Sequence, residues 1–293
     1  MPIDFQGVAK PIFTRLRTVF RMLKNLKKRE EGQRYFSHFK ESANFADYSM
    51  NLIVDIGNSV AKLTVMYSGE PIYATTINAD GWAAVRDIAQ RFAIKACAAV
   101  CVGSGRTMAE QALSVLPCSV LWVAGNTPSP LTISYETPHT LGADRLAAAV
   151  GAWTLFPGRE LLVIDAGTCI TYDHVNASGQ YLGGNISPGR NMRLEALHTF
   201  TAALPLVTPD SEILEMGKDT QTAIMAGVEW GVRLEVEGYI KKWTECRAGL
   251  QVVMTGGGAA ALAAYLGPDV KTDAHLIARG LDSILRYQAE PIF

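Results

Sequence analysis

The chain has 293 residues, a formal net charge of −1, 48% hydrophobic and 19% charged residues, which excludes a disordered chain and leaves apolar material for two packed units. Five cysteines (97, 101, 118, 169 and 246) and five histidines (38, 139, 174, 198 and 275) show neither a disulfide framework nor zinc-type spacing, so no metal cage is expected. No run approaches the roughly 18 apolar residues of a membrane helix, and the chain reads as soluble and cytoplasmic.

Residues 1–49 carry ten Lys/Arg against five Asp/Glu, leaving 17 against 23 in the remainder. The stretch 13–26 fits a basic amphipathic helix with Phe13, Val19, Phe20, Leu23 and Leu26 roughly on one face. Such a face suits a membrane surface or a partner, yet a core strand begins directly at Met50. The stretch reads instead as an N-terminal extension, mobile or dispensable, or a misassigned translation start, and it lacks a signal peptide's apolar core. Beyond it the chain has no basic patch for nucleic acid.

From Met50 the pattern alternates strand and helix, as in α/β proteins. The first half, 50–159, reads as a hairpin over 52–65, a strand over 71–77 and a helix over 81–92. An apolar strand over 96–102 then ends in Gly103-Ser104-Gly105, before a helix over 107–116 and a strand over 120–123. A loop over 126–138 leads to a helix over 142–156, which Pro157-Gly158 ends. The second half, 160–293, repeats the opening: a hairpin over 161–175, a turn over 176–179, a strand over 180–186 and a helix over 189–197. A Pro-containing loop over 204–209, a long helix over 220–242 and a strand over 250–254 follow. The turn Thr255-Gly256-Gly257-Gly258 and helices over 259–266 and 274–289 complete it. Two similar halves imply a cleft between them.

One phrase marks the repeat. Asp55-Ile56-Gly57-Asn58-Ser59 follows Leu52-Ile53-Val54, and 110 positions later Asp165-Ala166-Gly167-Thr168 follows Leu161-Leu162-Val163-Ile164. A carboxylate at a strand end, a glycine turn, then a hydroxyl or amide lets a hairpin hold a metal-bound polyphosphate against backbone N–H groups. Turn chemistry alone explains either copy. The pair in one frame favours a two-sided clamp.

This duplicated unit, closed by a strand running into Thr255-Gly256-Gly257-Gly258, resembles the superfamily of actin and the sugar and acetate kinases. The resemblance implies an α/β fold of duplicated ribonuclease H-like (actin-like ATPase) halves with a central cleft. It puts phosphates at the first hairpin, phosphate and cation at the second, and adenosine beside the glycine turn. A narrower resemblance is carried by Tyr135-Glu136-Thr137-Pro138-His139-Thr140-Leu141-Gly142-Ala143-Asp144-Arg145 and Gly183-Gly184-Asn185-Ile186-Ser187-Pro188-Gly189. In order with the two Asp-x-Gly phrases, these are similar to type III pantothenate kinase, the first enzyme of coenzyme A synthesis, over residues 50 to about 285. Ser59 stands where that family usually has threonine, which keeps the hydroxyl, and the family pattern does not need residues 1–49.

The resemblance implies an ATP-dependent kinase that converts pantothenate to 4′-phosphopantothenate; the alternative is a nucleotide-binding regulatory accessory protein of the same fold. Asp144 is then the general base for the pantothenate hydroxyl. It begins a helix after Gly142, where first-turn N–H groups stabilise a carboxylate, and a capping role alone is the other reading. Arg145 would bind the pantothenate carboxylate, hold Asp144 in place, or form only a surface ion pair. Tyr135 would wall the pantothenate chain, or pack on Pro138; Gly142 would contact it through its backbone. Asp55 would hold Mg²⁺ through water, with Gly57, Asn58, Ser59, Lys62, Gly167 and Thr168 on the phosphates, although a strand lysine such as Lys62 is usually just solvated. Asp165 would bind a monovalent cation, K⁺ or NH₄⁺; Asp173 is a weaker candidate for the site, better read as a strand-end carboxylate. The family resemblance further implies a homodimer with the substrate site near the subunit boundary and Thr220 completing the neighbour's pocket. Thr220 also suits a helix N-cap. Ile224, Val228, Val232 and Leu234 would face either the partner or the chain's own core.

Overall fold

The computed structural model describes residues 50–208 and 213–289. The amphipathic helix expected over 13–26 lies outside the described residues.

Unbroken apolar runs mark strands covered on both faces. Leu52, Ile53 and Val54 of β1 (Met50–Ile56) and Leu161 through Ile164 of β7 (Leu161–Ala166) are accordingly fully buried. Strand β1 pairs antiparallel with β2 (Ala61–Tyr67), which pairs antiparallel with β3 (Glu70–Ile77). On its other side β1 pairs parallel with β4 (Ile94–Cys101), and β4 pairs parallel with β5 (Val120–Trp122). The order β3-β2-β1-β4-β5 recurs as β9-β8-β7-β10-β11, with the same directions throughout. The repeat consists of β8 (Cys169–Val175), β9 (Gln180–Pro188), β10 (Gln251–Thr255) and β11 (Lys271–Thr272) around β7. This is the duplicated ribonuclease H-like fold. An added strand, β6 (Thr132–Ile133), joins the free edge of β9 within the stretch read as a loop over 126–138. Two residues are too few for a strand period to show.

Helices α1 (Ala84–Arg91), α2 (Arg106–Leu113), α3 (Ala143–Leu155), α4 (Arg190–Thr199), α5 (Thr220–Cys246), α6 (Ala259–Leu266) and α7 (Leu276–Ala289) fill the connections. A 3₁₀ turn, Gly81–Ala83, stands where the first helix was expected to begin. Helix α5 continues a turn past 242 because Trp243 packs edge-on against His174, with ring centroids 5.0 Å apart. Ile224, Val228 and Val232 are buried within the chain, whereas Leu234 is 58% exposed.

The centre of the core is the pair α3 and α7. Helix α3 packs on β4, β7 and β8, and α7 packs on β1, β2, β3 and β4, so the pair lies between the two sheets. Alanines and glycines let them touch backbone to backbone. A Cβ on Gly280 would overlap the carbonyl of Ala147, and one on Gly151 would overlap that of Leu276. The first turn of α3 carries Asp144 and Arg145, so this contact fixes their position.

Candidate active site

The two Asp-x-Gly phrases occupy matching places in the repeat. Asp55 and Asp165 are each the penultimate residue of their strand. Asp55 lies opposite Lys62 and beside Val100 in the ladder; Asp165 lies opposite Thr171 and beside Thr255.

Each turn is backed by glycines from elsewhere. In the first, Gly57 N–H donates to the Val60 carbonyl at 3.0 Å, leaving Asn58 and Ser59 exposed at the tip. Gly103, after β4, lies so close that a Cβ there would stand 3.0 Å from the Gly57 oxygen and 3.3 Å from Asn58 Oδ1. Cys101 Sγ donates to the Gly103 carbonyl at 3.1 Å and steadies this loop. In the second, Gly167 N–H donates to the Cys169 carbonyl at 3.0 Å, and Gly167 and Thr168 are exposed. Gly189 N–H donates to the Thr168 carbonyl at 3.0 Å, and Gly258 N–H to that of Ala166 at 2.9 Å. Gly256 has φ +91°, where glycine alone is at ease, and a Cβ there would strike Asp165 Oδ1 and stand 2.7 Å from the Ala166 oxygen.

Asp144 sits in the first turn of α3 after Gly142, whose backbone begins the helix without a side-chain cap. Its Oδ1 accepts the Arg145 N–H at 2.9 Å. A Cβ on Gly142 would stand 2.5 Å from that oxygen, so glycine is what admits this rotamer.

The charge of Asp144 reaches both Asp55 and Asp165. Burial pushes the Asp55 carboxyl up, Lys62 opposes the rise and the charge of Asp144 adds to it. Burial pushes Asp165 up to about 7; Lys62 again opposes, while Asp144, Asp55 and Asp173 add. Half-buried Lys62 therefore serves both hairpins. It also lines, with Asp55, Thr64, Thr255 and His275, a small crevice of about 20 Å³ at the start of α7. Burial lowers the His275 value, Asp273 opposes, and Arg279 and Lys62 lower it further. Thr255 belongs to the glycine turn that the sequence marks, whereas His275 carried no sequence signal, because only the fold brings α7 to β1.

The Asp165 shift has a thermodynamic consequence. Its folded-state value lies above the ordinary 3.8, so the folded chain binds the proton more tightly. The resulting stabilisation is full below about pH 4 and is lost as pH rises to about 7. In cation-free buffer, Asp165→Asn should therefore melt with a flatter pH profile than wild type between pH 4 and 7. Superimposable profiles would contradict the shift.

Arg145 and Asp173 are both buried, and the strand-end reading of Asp173 is corrected: it lies mid-strand in β8 opposite Val163 and Gly184. Arg145 Nε and Nη2 donate to Asp173 Oδ1 at 3.0 and 2.7 Å, so the ion pair is interior and not on the surface. Tyr135 packs edge-on against Tyr181, with centroids 6.1 Å apart, and its ring centroid lies 5.9 Å from the Arg145 guanidinium carbon. Tyr135, Gly142, Asp144 and Arg145 thus gather around the start of α3. Thr220, the first residue of α5, is exposed and stands apart from this group in the contacts of the described residues. Its reading as the N-cap is corrected as well. Asp219 caps α5, its side chain accepting the Thr222 N–H at 2.9 Å while Thr222 Oγ1 accepts the Asp219 N–H at 3.0 Å.

Known proteins bear on this arrangement. The family model described as type III pantothenate kinase matches residues 51–242. A type III pantothenate kinase of Bacteroides fragilis is 45% identical over 242 residues, covering 81% of this chain and 98% of its own length. One from Porphyromonas gingivalis is 39% identical over 242 residues, covering 82% and 99%. Among solved structures, a Baf family protein from Campylobacter jejuni superposes with a TM-score of 0.50 at 23% identity, covering 81% of this chain and 98% of that one, a likeness of fold. With the family model spanning both hairpins and relatives matched over nearly their whole length, the chain belongs to the type III pantothenate kinase family.

Proposed function

We propose that the protein is a cytoplasmic kinase that transfers the γ-phosphate of ATP to the primary hydroxyl of pantothenate, giving 4′-phosphopantothenate in the first step of coenzyme A synthesis. The observation that carries the reading is the placement of Asp55 and Asp165 at matching ladder positions of the two hairpins, with Asp144, in the first turn of α3, near enough for its charge to raise both. Phosphoryl transfer requires in-line positioning, charge neutralisation and a proton acceptor. Asp144 takes the hydroxyl proton as general base. Tyr135, Gly142 and Arg145 hold pantothenate, with Arg145 on its carboxylate. Gly57, Asn58, Ser59, Lys62, Gly167 and Thr168 line the polyphosphate path, and adenosine lies beside the turn from Gly256 to Gly258.

Two half-buried carboxylates opposed by a shared lysine suit hard cations. Among the described residues no group of three ligating side chains forms a cage, which fits an ion that keeps its water: Mg²⁺ held through water by Asp55. Asp165 holds the monovalent cation, K⁺ or NH₄⁺. Bound ions neutralise phosphate charge. Thr220, exposed and free of the capping role, completes the pantothenate pocket of the partner in a homodimer. Membership of a kinase family disfavours a purely regulatory nucleotide-binding role.

ADP release by purified protein with ATP, Mg²⁺ and K⁺ tests the reading. Release should require pantothenate and fall when Na⁺ replaces K⁺. Pantothenate-independent release would refute the kinase assignment, and equal rates in Na⁺ would remove Asp165 from its cation role.

A further inference from the structure

We propose that Asp173 is a positioning residue: it fixes the Arg145 guanidinium so that one of its two edges is presented to the carboxylate of the acceptor. This rests on the assignment of Arg145 to pantothenate binding. A guanidinium offers two fork-like edges, one formed by Nε with a terminal nitrogen and one by the two terminal nitrogens. Asp173 occupies the first edge through Nε and Nη2, at 3.0 and 2.7 Å. The second edge, Nη1 with the remaining N–H of Nη2, is the one that Asp173 does not take; the Tyr135 side chain also hydrogen-bonds to the guanidinium, which puts the proposed aromatic wall and the fork side by side.

The geometry around Asp173 is that of an orienting group. Three donors converge on its Oδ1, because the Tyr181 hydroxyl also donates to it at 2.7 Å. Its Oδ2 is buried with no hydrogen-bond partner among the described residues. A pair kept for stability alone would engage both oxygens side by side, and a half-satisfied buried carboxylate is costly. Buried ion pairs are in any case poor stabilisers compared with apolar packing. At 0% and 5% exposure, Asp173 and Arg145 are shielded from the water that would otherwise let the guanidinium swing.

The neighbouring strand is shaped for the same end. Gly184 lies opposite Asp173 in the ladder. A Cβ there would strike the Tyr172 carbonyl and stand 2.7 Å from Asp173 Oδ1 and 2.9 Å from Arg145 Nη2. Gly183, at φ +110°, holds a backbone conformation that favours glycine, and a Cβ there would make only ordinary contact with the Tyr135 ring at 3.6 Å. Gly184 is thus the residue that clears space for the fork.

The test is steady-state kinetics on full-length wild type, Asp173→Asn, Tyr181→Phe, Arg145→Lys and the doubles of each of the first two with Arg145→Lys, alongside melting curves. Asp173→Asn should raise the pantothenate KM about tenfold or more while leaving the ATP KM within about twofold. Tyr181→Phe should give a smaller rise, about threefold, with the same selectivity. Because Asp173 acts through Arg145, each double variant should be no worse than Arg145→Lys alone within about twofold. A pantothenate KM unchanged in Asp173→Asn, a parallel rise in both KM values, or additive doubles would overturn the inference. Should Asp173→Asn fail to melt cooperatively, Tyr181→Phe decides by the same criteria. A wild-type chain that does not turn over pantothenate would remove the kinase reading, and this inference with it. A normal wild type with an unselective Asp173→Asn would remove this inference alone.

Discussion

Asp144→Asn should lower kcat by about 10²- to 10⁴-fold, the range for losing a general base, with little change in the KM for ATP. The substitution is nearly isosteric. An asparagine Oδ1 can still accept the Arg145 N–H that Asp144 holds at 2.9 Å, and Gly142 still leaves it room. What is lost is the capacity to take a proton from the acceptor hydroxyl, and with it the negative charge that raises Asp55 and Asp165. Binding of the cations should not weaken by the same factor, since their carboxylates remain. Rates measured at saturating ATP and pantothenate settle the matter: a variant within threefold of wild type would mean that the proton leaves by another route.

Gly280→Ala should destabilise the fold by about 3 kcal/mol or more, against the gain of up to about 1 kcal/mol that the same change brings in an unhindered helix. The sign reverses because the added methyl would overlap the Ala147 carbonyl and stand 2.6 Å from its carbon and 2.9 Å from Gly151 N. These are backbone atoms of α3, so no side chain can turn aside. The helices must separate, and α3 carries Asp144 and Arg145. Gly238→Ala, on the exposed face of α5 where a Cβ would meet nothing within 4 Å, is the control and should be neutral or stabilising. Thermal melts of the two variants check the contrast; a Gly280→Ala protein as stable as wild type would contradict the backbone contact.

The parts of the fold legible in the sequence are those with long-range periodicity. The run Leu161 to Ile164 matches the run Leu52 to Val54, and the Asp-x-Gly phrases after them sit at matching ladder positions. What escaped depends on contacts between distant segments. Strand β6 exists because Thr132 and Ile133 find Gln180 and Tyr181. The last turn of α5 exists because Trp243 finds His174. The site divides in the same way. The place of Asp144 at a helix start after a glycine is local and legible, whereas its reading as a base over a cap comes from the family resemblance. The role of Asp173 lies in its pairing with Arg145, 28 residues away, and a lone aspartate in the phrase Thr171-Tyr172-Asp173 carries no mark of its partner. Its only trace is the Gly183-Gly184 pair, whose reason appears once β9 lies beside β8.

The most direct measurement is ³¹P NMR of the product formed by the wild-type protein from ATP and pantothenate. A single phosphomonoester on the 4′ oxygen, appearing in step with ADP and failing to accumulate with Asp144→Asn, is the expected result. ADP formed without any phosphorylated pantothenate, or equal product from the variant, would contradict the account.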